Sequence, residues 1–298
     1  MKDKNSKSGV FLILEAGVLW GSMGLFVRGL NGLGFDSVQI VTGRIVLAAL
    51  CFWIVLLRFR PAEERRIRLK DIPLFLGLGL ASILFFTVCY FTAISMMPLS
   101  TAAILLYTSP IWVTLLSALL FHEKLDARKL LALGMAFGGC VLVSGLGGGG
   151  LTLRGLLIGL GAGVGYGLYS ILGSVALRRY SPFTVTAYTF SIAAVGALII
   201  CHPLEMLRTL SAAPSPGDTA LLFVLTALVT AVAPFLCYTL GLRSVEPGRA
   251  AILATVEPMV ASLIGVFVFH EALTLSAALG ILLILGAIVL LSTPKKQE

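Results

Sequence analysis

The sequence predicts an all-α integral membrane protein with ten transmembrane helices arranged as two inverted five-helix repeats. Composition is the first reason, because 58% of the 298 residues are hydrophobic and only 12% are charged. Soluble domains contain about 45–50% apolar and about 25% charged residues. So few charges cannot cover the surface of a soluble globule of this size, which argues against a soluble enzyme. The spacing of the apolar runs and an internal repeat are the other two reasons.

Ten apolar runs are long enough to cross a bilayer, which takes about 20 residues in a helix. Continuous apolarity over this length differs from the alternating pattern of barrel strands, and lipid offers no water to unpaired backbone groups. We therefore predict helices near residues 9–30, 36–57, 72–95, 99–121, 127–145, 153–177, 182–202, 218–241, 248–269 and 274–292.

The basic residues indicate the orientation. Eighteen of the 22 Lys and Arg residues lie in the termini and in the segments that follow even-numbered helices. The other loops hold only Arg154 and Arg208, while Arg28 and Arg44 lie within helices. The positive-inside rule then places both termini in the cytoplasm, and we expect a multi-pass protein of the inner (plasma) membrane. This distribution accounts for the net charge of +8 without a nucleic-acid partner.

An internal repeat relates the two halves of the chain at an offset of 148 residues, or 146 near the start of each half. Each half contains five helices, an odd number, so the second half must enter the membrane from the opposite side. Inverted repeats of this kind are the plan of many secondary transporters. Matching pairs include Trp20 and Tyr166, Cys89-Tyr90 and Cys237-Tyr238, Pro110 and Pro258, and His122-Glu123-x-Leu125 and His270-Glu271-x-Leu273.

The repeat also defines the domain organisation. We predict a cytoplasmic tail at 1–8, a first repeat at 9–145, a glycine-rich outer linker at 146–152, a second repeat at 153–292 and a second tail at 293–298.

Several motifs resemble the drug/metabolite transporter superfamily, specifically its EamA-type ten-helix members. They are Leu19-Trp20-Gly21-Ser22, Gly43-Arg44, the small-residue run before Pro110 that ends in His122-Glu123, and its second copy around Glu257-Pro258 and His270-Glu271. The resemblance implies a secondary carrier that exports amino acids or related metabolites through a central cavity between the halves. The chain departs from the family at His122 and His270, where a glycine is usual.

Glu257 is the first candidate site residue. It lies about 14 Å into the ninth helix, where a carboxylate costs about 2.5–3.5 kcal/mol and usually faces a cavity or a partner. We expect either a proton or cationic-group site there, or a protonated side chain bonded to a neighbouring helix. Pro258 and its repeat equivalent Pro110 each remove a backbone donor and are predicted hinges.

Two further charges lie within helices, Glu15 and Arg44. We expect them to form a structural ion pair between the first two helices, in preference to a contact between Arg44 and substrate. Arg28, near a helix end, is expected to extend towards the interface.

Aromatic residues recur at equivalent positions of the two halves. The pairs Trp20/Tyr166 and Tyr90/Tyr238 are predicted to line the cavity. Tyr107 is a further candidate, for which packing between helices or a place in an interfacial belt is an equally good explanation. Gly155, Gly159, Gly163 and Gly167 repeat every four residues and predict a groove for a neighbouring helix.

We therefore expect a secondary active transporter that moves a small metabolite, an amino acid or related compound, by alternating access, with proton coupling as one option. The alternatives are a facilitative permease, an uptake carrier and, in a different class, a membrane enzyme. The chain has no Walker A motif or complete HExxH, so we expect neither enzyme activity nor a metal or cofactor. The expected partners are a small-molecule substrate and membrane lipid, in a monomer or homodimer.

Overall fold

The computed structural model describes residues 7–97, 99–144 and 152–292. It contains ten helices long and apolar enough to cross a membrane, as predicted. We number them α1 Lys7–Gly32, α2 Ser37–Phe59, α3 Leu69–Met96, α4 Thr101–Phe121, α5 Ala127–Ser144, α6 Leu153–Ala176, α7 Pro182–Ile200, α8 Pro216–Gly241, α9 Pro247–Phe269 and α10 Leu275–Ser292.

Two opposite faces of the bundle need names. The basic face carries the first residue of α1, Lys7, and the linker face carries the last residue of α5, Ser144. Of the predicted tails and linker, residues 1–6, 145–151 and 293–298 lie outside the described residues.

Local side-chain bonds fix where several helices begin. Asp36 accepts from the backbone N–H of Gln39 at 2.8 Å, and the Gln39 side chain accepts from the N–H of Asp36 at 3.1 Å. This capping box satisfies two otherwise unpaired donors at the start of α2. Thr152 and Ser181 cap α6 and α7 in the simpler one-bond form.

A short helix that the hydropathy pattern did not predict, Pro203–Ala212, lies between α7 and α8. It presents Leu204 and Leu207 outward, and its Met206 lies against α2, where a Cβ at Gly43 would be 2.7 Å from the Met206 methyl carbon.

The two repeats pack on each other in a symmetric way. In the first repeat α1 packs on α8 and α9 of the second, and its equivalent α6 packs on α3 and α4. The equivalent pairs α2 with α7 and α5 with α10 pack on each other. This reciprocal arrangement is what a pseudo-two-fold axis between inverted halves produces.

Glycines mark the closest approaches and follow the same symmetry. A Cβ at Gly21 on α1 would lie 2.7 Å from the carbonyl oxygen of Glu257 on α9. The equivalent Gly167 on α6 faces the carbonyl oxygen of Ser109 on α4, the equivalent of Glu257. The predicted glycine groove on α6 is confirmed, because Gly159 and Gly163 also face α4.

The helices near the centre are irregular. The chain turns at Ser22 in α1, at Tyr107–Thr108 in α4 and at Ala254–Thr255 in α9. The last two breaks are equivalent and lie just before Pro110 and Pro258. Equivalent π-helical segments interrupt α3 at Gly77–Leu84 and α8 at Leu228–Val232, and such segments are frequent at functional sites.

The crossing of α5 and α10 provides a test of packing. Gly139→Ala places a methyl group 2.8 Å from the carbonyl oxygen of Gly280, so we expect it to destabilise the fold by about 1–3 kcal/mol. The measurement is the midpoint of thermal denaturation in detergent. The matched control is Gly134→Ala on the same helix, where a Cβ meets nothing within 4 Å. The control is expected to keep or raise the midpoint, because alanine favours a helix by about 1 kcal/mol over glycine. Equal effects of the two substitutions would contradict the packing argument.

Candidate functional site

The candidate site lies where α1 crosses α9, at the close approach of Gly21 to Glu257. Glu257 is near the middle of its helix, about 15 Å from Pro247 and about 18 Å from Phe269. Its side chain turns towards α6, and the Tyr166 hydroxyl donates to Oε2 of Glu257 at 2.9 Å. Both residues are only partly buried. Glu257 therefore bonds to a neighbouring helix inside the bundle, and its role as a proton or cationic-group site stays a prediction.

Arg44 on α2 is the positive charge nearest the site. It is 8% exposed, and electrostatic interactions link it to Glu257 and Tyr166. Its Nη1 donates to the Met23 sulfur at 2.9 Å, whereas its buried Nε has no acceptor among the described residues. Arg44 and Glu257 do not approach within the 4 Å of an ion pair in the described structure. The site thus holds two opposite charges that are close to each other but not paired.

The predicted ion pair between Glu15 and Arg44 is wrong. Glu15 is exposed on α1 and interacts with Cys237 of α8. Arg44 lies nearer the linker face and turns towards Glu257 instead. The physical reason is depth, because Glu15 lies in the basic-face half of α1 and Arg44 in the linker-face half of α2, so the two side chains extend from different levels of the bundle.

The predicted aromatic residues form one connected cluster around Glu257. Trp20 contacts Tyr166 and Tyr238, with ring centroids 6.2 and 5.4 Å apart. Phe86 links Tyr166 to Tyr90, with ring centroids 5.2 and 6.4 Å apart. The structure therefore brings together both predicted pairs.

Tyr107 joins this group from α4. It lies at the break in that helix, and its hydroxyl and the Glu257 carboxylate interact electrostatically. Tyr90 is linked to Glu257 in the same way. Three tyrosines thus surround one carboxylate.

The predicted hinges coincide with the two equivalent breaks. Thr108 Oγ1 donates to the Leu105 carbonyl at 2.6 Å, and Thr255 Oγ1 donates to the Ile252 carbonyl at 2.7 Å. These bonds replace backbone donors that the interrupted helix cannot supply. Pro110 and Pro258 lie just beyond, in the first turn of each following helical segment, which proline tolerates.

A small central cavity of about 30 Å³ lies next to Tyr166, on its basic-face side. It has room for about two water molecules. Its lining is almost wholly apolar or aromatic and includes Trp20, Ser82, Phe86, Tyr166, Tyr169, Ser170, Phe235 and Tyr238.

Two buried hydrogen bonds close the bundle between this cavity and the basic face. The hydroxyls of Ser170 and Tyr238 are 2.7 Å apart, and those of Tyr169 and Thr239 are 2.6 Å apart. Both bonds join α6 to α8. Beyond them a wide depression of about 980 Å³ opens at the basic face. Its lining carries six basic and three acidic side chains, namely Lys124, Arg128, Lys129, Arg178, Arg243 and Arg249, and Glu123, Asp126 and Glu246.

Within the part of the chain that the structure describes, the linker-face side of the site has no equivalent hydrogen-bonded closure. The linker-face half of α1, Met23–Gly32, packs on α2, α8 and α9. The equivalent half of α6 is instead bonded across the bundle to α8 through Tyr169 and Ser170, and α6 also contacts the start of α9. A Cβ at Gly24 would meet nothing within 4 Å. Tyr90, the equivalent of Tyr238, has no hydrogen-bond partner among the described residues. The structure therefore has a hydrogen-bonded closure between the site and the basic face, and no such bond between described residues on the linker-face side.

Sequence reasoning missed Tyr169, Ser170 and Thr239, which form the closure, and Phe86, which completes the aromatic cluster. A usable signal existed for Tyr169, Ser170 and Phe86, which lie three or four residues from Tyr166 or Tyr90 and therefore on the same helix face, whereas Thr239 directly follows Tyr238 and had no such signal. Among the described residues no group of three or more His, Cys, Asp or Glu residues lies close enough to hold a metal ion.

These features define a ten-span membrane protein with a polar site enclosed between two inverted repeats. The chain belongs to the EamA-like transporter family, whose pattern it matches over residues 7–145 and 153–293, once in each repeat. This confirms the family that the sequence motifs resemble.

Two similar proteins are themselves described as uncharacterized transporters. An uncharacterized transporter of Archaeoglobus fulgidus is 30% identical over 288 residues, which is 95% of each chain. The uncharacterized transporter YojE of Bacillus subtilis is 29% identical and covers 97% of this chain and 95% of its own. A crystal structure with 21% identity has a similar fold, with a TM-score of 0.77 over 95% of this chain and 96% of that one.

The closure provides a test with an internal control. Tyr238→Phe removes the bond to Ser170, so we expect amide hydrogen exchange in the basic-face half of α6 to become about 2–10-fold faster. Tyr90→Phe is the matched control, because it removes the equivalent hydroxyl at the linker face. We expect it to leave exchange in α6 unchanged. Equal rates in the Tyr238→Phe variant and the native protein would show that this bond does not close the basic face.

Proposed function

We propose that this chain is a secondary active transporter that exports a small zwitterionic metabolite, an amino acid or a related compound, in exchange for protons. The observation that carries the proposal is the unpaired arrangement of Glu257 and Arg44 beside an aromatic cluster. Buried charges normally pair with one another, since leaving either alone costs several kcal/mol. Two opposite charges left apart inside the bundle are the arrangement expected where a ligand supplies the missing partners.

An α-amino acid has the matching groups. Its ammonium group fits between the Glu257 carboxylate and the faces of Trp20 and Tyr166, which attract cations. Its carboxylate fits the Arg44 guanidinium, whose Nε lacks an acceptor and which can bind a carboxylate with two parallel hydrogen bonds. An apolar or aromatic side chain would contact the rings of the cluster.

The small size of the central cavity supports a moving site rather than a permanent pore. A cavity of about 30 Å³ cannot hold an amino acid, so binding must widen it. The repeats supply a way to do so. At the basic face α6 is bonded to α8, whereas at the linker face the equivalent helix α1 is bent away from the centre of the bundle. If the two repeats exchanged these conformations, the site would become accessible from the opposite face.

Coupling to protons follows from the single carboxylate. At this depth a bare charge is costly, and either a proton or a substrate ammonium group can neutralise Glu257. Because one carboxylate cannot hold both, the two would cross in opposite directions. With the basic face towards the cytoplasm, proton entry would then drive export. A facilitative permease or an uptake carrier would share the fold, and accumulation against a gradient distinguishes them.

Glu257→Gln tests the coupling. In proteoliposomes that carry the purified protein, we expect a pH gradient to drive amino-acid accumulation by the native chain and not by this variant, because an amide does not take up a proton in this range. Glu15→Gln is the matched control, since it neutralises another carboxylate within the helices away from the site. A gradient response retained in the Glu257→Gln variant would contradict the proposed role.

Arg44→Gln tests the substrate class. Removing a charged hydrogen-bond partner costs about 1.5–3 kcal/mol, so we expect binding of an amino acid to weaken by about 10–100-fold. The corresponding amine, which lacks the carboxylate, should bind the native and variant proteins alike. Competition in a counterflow assay measures both. An equal loss for the amine and the amino acid would show that Arg44 does not bind the carboxylate.

A further inference from the structure

The sequence Phe-His-Glu ends both broken helices, α4 at Phe121-His122-Glu123 and α9 at Phe269-His270-Glu271. We refer to these as the basic-face corner and the linker-face corner. Both histidines have the left-handed backbone conformation, with φ of 54° and 55°, which glycine adopts more readily. In each corner the backbone N–H of the glutamate returns to a carbonyl six residues earlier, at Ser117 or Gly265. The corners are thus equivalent turns on opposite faces.

The linker-face corner holds the bent half of α1. The Arg28 guanidinium lies 3.9 Å from the centre of the Phe269 ring and donates to Oε1 of Glu271 at 2.7 Å. The two charged side chains are 56% and 52% exposed. This contact joins α1 of the first repeat to α9 of the second.

The basic-face corner uses the same residues differently. Lys129 Nζ donates to the Glu123 carboxylate, and both side chains are less than 10% exposed. Lys129 also lies 3.7 Å from Glu246, in the connection between α8 and α9. A Cβ at Gly248 would lie 2.9 Å from Glu123 Oε2. This corner therefore joins the end of α4 in the first repeat to the start of α9 in the second.

We propose that the two corners are paired latches of the transport cycle, with Arg28, Glu271, Glu123 and Lys129 as positioning residues. The inference rests on the proposed alternating access. Both latches stabilise the state with the linker face open and the basic face closed. The first holds Met23–Gly32 against α9, away from α3 and α4. The second holds the start of α9 over the basic-face end of the bundle.

The geometry dictates what must break in the opposite state. In the opposite state the linker-face half of α1 would contact α3 and α4, just as the equivalent half of α6 now contacts α8 and α9. Arg28 would then have to separate from Glu271. If the basic face opens, Glu246 and Gly248 must separate from Lys129 and Glu123. The buried ion pair of Lys129 and Glu123 is screened little by salt, whereas salt weakens the exposed pair of Arg28 and Glu271.

The test compares Glu271→Gln with the matched control Glu205→Gln, which neutralises an acidic residue of the short helix Pro203–Ala212 on the same face. Hydrogen exchange is measured on the full chain in lipid nanodiscs. In Glu271→Gln we expect exchange about threefold slower in the linker-face half of α3 and about threefold faster around Leu242–Pro247. Glu205→Gln should leave both segments unchanged.

Charge reversal separates a latch from a general loss of packing. The double variant Arg28→Glu/Glu271→Arg should restore the native exchange pattern, whereas Arg28→Glu alone should behave as Glu271→Gln does. Hydrogen exchange that becomes faster on both faces, or no rescue by the double variant, would overturn the proposal.

The proposed transport function is tested separately, because a native protein that shows no counterflow would contradict it. The opposite changes in hydrogen exchange at the two faces would still decide whether the corners control which face is open.

Discussion

The close approach of α1 to α9 at Gly21 is the constraint on which the site depends. Only a residue without a side chain lets the α1 backbone reach the Glu257 carbonyl, and this contact brings Trp20 beside Tyr166 and Tyr238. The same crossing puts the turn at Ser22 next to Met23, the partner of Arg44. A larger residue at this point would displace the carboxylate, the cation and the aromatic cluster together.

The symmetric scaffold carries an asymmetric set of charges. Glu257 has Ser109 as its equivalent, and Glu15 has Gly161. Inverted repeats supply two similar crossings, yet only one of them holds a carboxylate, so the proposed ligand-binding chemistry is confined to a single place. The aromatic pairs, in contrast, keep their symmetry. In the proposed transport cycle the scaffold would supply the movement, and a few unmatched residues would supply the selectivity.

Sequence reasoning predicted the ten helices and their inverted relation, because a bilayer imposes both the length and the apolarity of each span. It also found Glu257, since a carboxylate at that depth stands out. It failed for Arg44, whose partner depends on side-chain direction, and for Tyr169 and Ser170, whose bonds join helices distant in sequence. Pro110 and Pro258 predicted hinges in α4 and α9, but they did not predict the exact position of the turns at Thr108 and Thr255. The π-helical segments left no signal, because their residues are as apolar as those of a regular helix.

Those segments change which way a helix faces. One extra residue inserted into an α-helix rotates the rest of the helix by about 100° about the helix axis. Before its π-helical segment α3 directs Phe75 towards Tyr180 and Tyr188, and after it Phe86 and Tyr90 line the site. The equivalent α8 directs Phe223 towards α2 and then Phe235 and Tyr238 towards Trp20. The two helices α3 and α8 therefore each pack against outer helices with one half and line the site with the other. A single-residue deletion in Gly77–Leu84 would leave the hydropathy profile intact but would rotate Tyr90 away from Glu257.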